Sequence, residues 1–254
     1  MNSLLLAVDS GNSHIKWGLH DGHAWLDRGV VEQGKIALLA EEWAELAEPS
    51  RVVISNVAGV QARNDLSGLL SSWRIEPQWV MAVPYQCGVR NYYADPAQLG
   101  SDRWAALVAA WESEGQGCLV VDAGTAMTVD ALSDTGEFLG GIITPGLGMM
   151  QNVLAAEIPF PVPGPGGGKA GEFSDYPDRT ADAIYSGSLH ALAGAIERMS
   201  ALLTGTLGRM PDIVLSGGTA EQLRSRLTLN VKVKDGLVLQ GLLAIARAGS
   251  VPAP

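Results

Sequence analysis

Cysteine is scarce and positive charge is outweighed, and each shortage removes a class of protein. The 254 residues include two cysteines, Cys87 and Cys118, too few for a disulfide framework or a cysteine-built zinc site. Two reduced thiols are expected, with Cys118, inside an apolar run, in the core. Lys and Arg number 17 against 27 Asp and Glu, a net charge of −10, which argues against a surface for nucleic acid or an anionic membrane. A phosphate-bearing ligand would have to be met by local donors. Long apolar runs are missing too: the longest, residues 104–111, has eight residues, against the roughly 20 that span a bilayer. Met1-Asn2-Ser3 puts no basic segment ahead of the first apolar residues and no cleavage site follows, so a cytosolic chain is expected. What remains is 47% apolar and 17% charged, enough to bury a core. The length suits one large domain or two small lobes. Glycine, 31 of the 254 residues, is overused, which forecasts tight turns and close backbone approaches.

A pattern occurs twice. Residues 4–19, LLLAVDSGNSHIKWGL, read as an apolar strand ending at Asp9, a Ser10-Gly11-Asn12 turn, and a strand alternating through Ile15, Trp17 and Leu19. Residues 118–132, CLVVDAGTAMTVDAL, repeat it with Asp122, the turn Ala123-Gly124-Thr125, and Met127, Val129 and Ala131. Each copy is followed by an apolar strand running into small residues, VVISNVAG at 52–59 and IVLSGGTA at 213–220, so that Ser55 corresponds to Ser216. One Asp-x-Gly turn is ordinary hairpin chemistry. Two, each followed in the same order by such a strand, indicate duplication into two α/β lobes with mixed sheets. A hairpin is expected at Asp21-Gly22, and helices at 36–47, 63–73, 101–114 with Ser101 as N-cap, and 180–203; GEFLGGII at 136–143 reads as a further strand. The long helix carries Gly187, Ala191 and Ala195 at four-residue spacing, a small-residue stripe for core packing or for a subunit interface. Residues 159–178 are too rich in Pro and Gly for regular structure and read as a linker or a flap.

If the two turns faced one another across a cleft, Asp9 and Asp122 would converge beside turn amides. Such amides form an anion-binding nest and carboxylates hold Mg²⁺ through its waters, an arrangement for a nucleoside triphosphate. Ser216-Gly217-Gly218-Thr219 leaves room for a flat adenine. Ser13 and Thr125 are hydroxyl donors to phosphate or caps of their own turns. Lys16 is a phosphate counter-charge or part of a solvated strand face. Asp102 and Arg103 open a helix just after Gly100. The acidic residue alone fits helix-dipole chemistry, while the cation beside it suits a carboxylate base next to a guanidinium that holds an anionic substrate.

The set DSGNSHIKWG, LGSDRWAAL, VVDAGTAMTVD, GGIITPG, TADAIYSG and LSGGTA resembles the type III pantothenate kinases, a branch of the acetate and sugar kinase, Hsp70 and actin superfamily. The resemblance runs in order along nearly the whole chain. It implies two ribonuclease-H-like lobes, residues 1–115 and 116–254, an active homodimer, Mg²⁺ with ATP, and dependence on K⁺ or NH₄⁺. The implied reaction moves the γ-phosphoryl group of ATP to the terminal hydroxyl of pantothenate, opening coenzyme A biosynthesis. Matched by motif, Asp9, Ser10, Gly11, Asn12, Ser13, His14, Ile15 and Lys16 would bind ATP phosphates, with Thr125 touching ATP and Asp122 holding the monovalent cation. Tyr93, Gly100, Ser101, Asp102 and Arg103 would contact pantothenate, Asp102 as base, with Thr180 reaching it from the start of the long helix. The chain departs from most relatives at Ser13, where Thr is common, at Tyr92, where a small residue is common, and across 159–171. Rival expectations are a superfamily kinase with another acceptor, and a non-catalytic regulatory member, which the acidic charge and the lack of a basic patch oppose.

Overall fold

A computed structural model describes residues 4–73, 75–157 and 171–249. Most of the Pro/Gly-rich stretch expected as linker or flap, residues 158–170, lies outside the described residues. The described residues form two compact units: residues up to 115 with 136–138 and 236–249, and residues 116–135 with 139–235.

The first unit is built from β1 (Leu5–Ser10), β2 (His14–His20), β3 (Trp25–Glu32), α1 (Leu38–Ala44), β4 (Arg51–Asn56), α2 (Gly59–Leu70), β5 (Gln78–Trp79), β6 (Tyr85–Gln86), β7 (Val89–Asn91) and α3 (Ser101–Glu114). Its main sheet has the order β3-β2-β1-β4-β5, with β1 antiparallel to β2 and parallel to β4. Strand side chains alternate between faces. Leu6 and Val8 of β1 and Val52 and Ile54 of β4 therefore pack into one cluster with Leu39, Trp43, Leu66 and Leu70 of α1 and α2. The same alternation sends Asp9 and Ser55 to the opposite face, where α3 lies.

The second unit comprises β8 (Cys118–Ala123), β9 (Ala126–Leu132), β10 (Glu137–Pro145, whose first two residues count with the first unit), α4 (Leu147–Glu157), α5 (Thr180–Leu207), β11 (Asp212–Ser216), α6 (Ala220–Arg224) and β12 (Val231–Val233). The strand order β10-β9-β8-β11-β12 reproduces that of the first unit element for element. The registers agree as well, Asp9 lying opposite Ser55 in the parallel pair β1–β4 and Asp122 opposite Ser216 in β8–β11. The duplication read from sequence is thus present down to single residues. Leu119, Val121, Met127 and Val129 pack on Leu189, Leu192, Ile196 and Leu203 of α5 to form this unit's core. Cys118 is buried and neither cysteine is in a disulfide.

The chain then adds α7 (Leu237–Ala248) to the first unit, not to the second as the division 1–115 and 116–254 expected. The cause is close packing against α3: a Cβ on Gly241 would stand 1.8 Å from the carbonyl oxygen of Ala105. This helix had no sequence expectation, although Gln240 and Arg247, seven residues apart, mark one narrow polar edge on an otherwise apolar segment. Helices α4 and α6 also had no sequence expectation. Of the expected helices, α3 has the forecast bounds, α1 is shorter, α2 begins earlier, and α5 extends to Leu207. On α5, Gly187 and Ala191 are exposed, so these two lie outside the core, while Ala195 packs against it. No helix among the described residues is long and apolar enough to cross a membrane.

Gly241→Ala should force α3 and α7 apart. Overpacking of this kind costs about 1–3 kcal/mol or more, and each kcal/mol lowers Tm by roughly 2–4 °C in a chain of this size. Thermal denaturation checks it, and an unchanged Tm would show that the two helices can separate without loss.

Candidate active site

In the first unit the turn after β1 is closed by the Gly11 N–H donating to the His14 carbonyl at 3.0 Å and braced by the Gln33 N–H donating to the Ser13 carbonyl at 2.9 Å. The Ser10 hydroxyl donates to Gln33 Oε1 at 3.4 Å. Asp9 and Ser10 are buried, Gly11 and Ser13 half-buried, Asn12 and His14 exposed. Ile15 is wholly within the core cluster, so it offers a ligand its backbone alone. Lys16 lies opposite Asp9 in the β1–β2 register, which puts both side chains on one face of the sheet.

Beyond β4 the chain turns beside that segment. The Val57 N–H donates to the Ser10 carbonyl at 3.0 Å, and Asn56 ties its own loop by accepting from the Ala58 N–H and donating to the Gly59 carbonyl. Ser101 does not act as the expected N-cap. Gly100 occupies the cap position, without a side-chain bond, and Ser101 is the first helical residue. Its buried hydroxyl instead pairs with that of Ser55 at 2.9 Å.

Asp102 follows, half-buried in the first turn of α3, its Oδ1 accepting the Arg103 N–H at 2.7 Å. Burial raises its pKa above the ordinary carboxylate value, against the opposing pull of the Arg103 N–H and the Arg103 charge. A Cβ at Gly100 would stand 2.5 Å from Asp102 Oδ1, so glycine is what leaves the carboxylate its place. Arg103 is buried. Its Nη1 donates to the Tyr93 hydroxyl at 3.1 Å, and its guanidinium lies 5.8 Å from the ring centres of both Tyr93 and Phe138. Those rings pack at 5.2 Å from each other. Tyr93 is set by Asn91, whose Oδ1 accepts the Tyr93 N–H at 3.0 Å and whose Nδ2 donates to the Pro96 carbonyl at 3.1 Å. Tyr92 points the other way, exposed, with its hydroxyl donating to Glu137. The two adjacent tyrosines are therefore not interchangeable.

In the second unit the turn after β8 repeats the first, the Gly124 N–H donating to the Ala126 carbonyl at 3.1 Å. Thr125 is exposed at its tip, and the Gly146 N–H donates to the Thr125 carbonyl at 2.9 Å. Gly217 has φ +101° and lies so near β8 that a Cβ there would stand 2.5 Å from the Ala123 carbonyl oxygen and 2.6 Å from Asp122 Oδ1. Thr219 locks the approach, its hydroxyl and N–H both donating to that carbonyl, at 2.9 and 3.2 Å. The Asp122 carboxylate, an oxygen donor of the kind a hard cation takes, thus lies beside glycine backbone with no side chain between them, while the Ala123 carbonyl is taken up by Thr219. Among the described residues no three His, Cys, Asp or Glu side chains converge on one point. A Mg²⁺ ion would depend on phosphate oxygens and water as well as on a single carboxylate. Thr180 is exposed at the first position of α5.

The first unit therefore gathers Asp9 to Lys16 with Tyr93 and Gly100 to Arg103, and the second carries Asp122, Thr125 and Thr180. The sequence profile of the type III pantothenate kinases matches residues 5–202. A type III pantothenate kinase of Nitrosospira multiformis is 67% identical over 250 residues, covering 98% of this chain and 94% of that protein. The chain belongs to the type III pantothenate kinase family. A further relative, from Nitrosomonas eutropha, is 47% identical, with 98% of this chain and 97% of its own length covered. Among solved structures, a Campylobacter jejuni protein of the Baf family superposes with a TM-score of 0.59 at 20% identity, over 95% of this chain and 97% of its own. At that identity the likeness speaks for the fold alone.

Several residues around the family motifs had no sequence signal strong enough to find them. Phe138 comes from a strand otherwise belonging to the second unit, Asn91 acts through two side-chain bonds to backbone and Val57 through one backbone bond, none of which spacing encodes. Gly100→Ala tests the cradle: Tm should stay near the parent value while turnover with ATP and pantothenate falls, since displacing a reacting group by about 1 Å can cost roughly 10²-fold. Parent-like turnover would show that the carboxylate's position does not matter.

Proposed function

We propose that this chain transfers the γ-phosphoryl group of ATP to the terminal hydroxyl of pantothenate, giving 4′-phosphopantothenate, the first step of coenzyme A biosynthesis. The observation that carries the reading is family membership along nearly the whole chain together with a shielded carboxylate, Asp102, beside a fixed guanidinium, Arg103. Phosphoryl transfer asks for alignment and charge stabilisation more than for covalent chemistry. Asp102 orients the acceptor hydroxyl and takes its proton, and its raised pKa makes it a stronger base than an exposed carboxylate. Arg103, held by Tyr93 beside two rings and unable to lose its proton, keeps a permanent positive charge for an anionic group of the substrates. Asp9 to Lys16 meet the phosphates of ATP largely through turn amides, with Thr125 contributing from the second turn and Thr180 reaching pantothenate. The open side of Gly218, with nothing within 4 Å of a Cβ placed there, is offered to the adenine.

Mg²⁺ bound with ATP, and K⁺ or NH₄⁺ at Asp122, would offset phosphate charge. Asp122 is the residue of this chain that would hold the monovalent ion, the Ala123 carbonyl being taken up by Thr219. A homodimer is part of the proposal, supported by exposed Gly187 and Ala191 on α5 and by exposed Met149, Val153 and Leu154 on α4.

The function is tested by ATP consumption with and without pantothenate, in K⁺ and then in Na⁺ at matched ionic strength, on a preparation whose mass is read by light scattering. Pantothenate-dependent turnover that drops strongly in Na⁺, from a species of twice the chain mass, is expected. Turnover with other hydroxylated acceptors and none with pantothenate would overturn the substrate, and equal rates in both salts would overturn the cation site.

Asp102→Asn separates base from helix-dipole residue. As base, its loss should lower turnover by about 10²–10⁴-fold. Because the folded-state pKa is raised, the folded chain binds protons more readily than the unfolded one, so this group's contribution to stability falls as pH rises through that pKa. The Asn variant should therefore have a Tm at neutral pH no lower than the parent's, whereas a purely dipolar role predicts a loss of about 0.3–1 kcal/mol with turnover intact. In the parent, kcat/KM should fall on the acid side at a pH above the usual carboxylate range.

A further inference from the structure

We infer that Ser55 is a positioning residue for phosphoryl transfer, holding the phosphate turn and the base-bearing helix in fixed relation through its hydroxyl contact with Ser101. The inference rests on the function proposed above. Ser55 is fully buried and lies directly opposite Asp9 in the β1–β4 pair, so it shares a strand position with the carboxylate that begins the phosphate segment. Its Oγ is 2.9 Å from that of Ser101, itself 8% exposed, and Ser101 immediately precedes Asp102. Two further contacts run the same way. The Val57 N–H donates to the Ser10 carbonyl at 3.0 Å, and Val57 Cγ1 lies 3.7 Å from where a Cβ on Gly100 would stand. The end of β4 is thus a wedge, hydrogen-bonded to the phosphate turn on one side and to the first residue of α3 on the other.

A serine is suited to this place for a definite reason. Position 55 faces α3 within an otherwise apolar strand, and a larger side chain would push the helix away from the sheet. Alanine or glycine would fill the space but leave the Ser101 hydroxyl buried with nothing to pair with, free to turn and to carry Asp102 with it. The Ser55 hydroxyl is wholly buried against Ser101, out of reach of solvent. Its effect passes through Ser101 to the carboxylate.

The prediction is a split between chemistry and binding. Ser55→Ala should lower kcat by roughly 10-fold or more, in keeping with the sensitivity of catalysis to small misplacements, while KM for ATP and for pantothenate stay within about twofold. Ser55→Thr, which keeps the hydroxyl, should restore much of kcat. Ser55→Cys, nearly isosteric but a weak hydrogen-bonding partner, should behave like alanine and serves if the alanine variant is insoluble. Peptide-level hydrogen exchange over residues 100–104 supplies a readout that does not depend on the acceptor. The Trp104 amide donates to the Gly100 carbonyl and the Arg103 amide to Asp102, and exchange there should quicken in Ser55→Ala. If exchange quickens while the parent fails to use pantothenate, the proposed substrate is wrong and the positioning role stands. If kcat, or the exchange rate, is unchanged in both the alanine and the cysteine variants, the positioning role is wrong.

Discussion

A carboxylate at the end of a buried strand must be flanked by side chains small enough to leave it room and polar enough to tolerate it, and both units are organised around that requirement. Asp9 and Asp122 each stand next to last in a strand whose other residues are nearly all core, and each lies opposite a serine of its parallel partner strand. Everything near the proposed chemistry follows from this pairing. The parallel partner has to leave the sheet in a tight turn, its amide binds back to the carboxylate strand, and the space beyond is what α3 fills in the first unit. In the second unit Gly217 comes so close to Asp122 and Ala123 that no side chain fits between them.

That arrangement also explains how an acidic chain can serve an anionic substrate. With a net charge of −10 the long-range field is unfavourable. The attraction has to be local, from turn amides, from the first turn of α3, and from Arg103, whose charge is fixed beside Tyr93 and Phe138. Placing Asp102 beside it in a shielded position has an electrostatic cost, and the raised pKa reflects that cost. Local rules of stability are broken at the spot where chemistry is proposed and are obeyed elsewhere in α3.

The sequence was legible where a physical requirement recurs at a fixed interval. The two Asp turns, their small-residue partner strands and the helix over 101–114 could be read because alternation, turn chemistry and helical spacing each leave a trace, and the duplicated order checked one copy against the other. It was illegible where the requirement is three-dimensional. Ser101 in a first turn looks like a cap; that its hydroxyl turns inward to Ser55, 46 positions earlier, depends on a β–α packing that no local window contains. Tyr92 and Tyr93 are indistinguishable by composition and are separated by the Asn91 side chain. The α7 segment was missed for another reason, since only Gln240 and Arg247 mark its polar edge. Its membership in the first unit could not be inferred from its place in the chain.

That membership sets the order in which the protein can be made. The first unit to emerge from a ribosome is also the last to be finished, because α7, which covers the α3 side of its sheet, is translated after every residue of the second unit. Until then Leu5, Ala7 and Val53, together with the apolar face of α3, have no α7 to cover them, while the second unit, contiguous apart from the short excursion at 136–138, can close on its own strands. The nascent chain therefore carries an unfinished, aggregation-prone first unit while the second is made, and the packing of α3 is completed only after every residue of the second unit has been added.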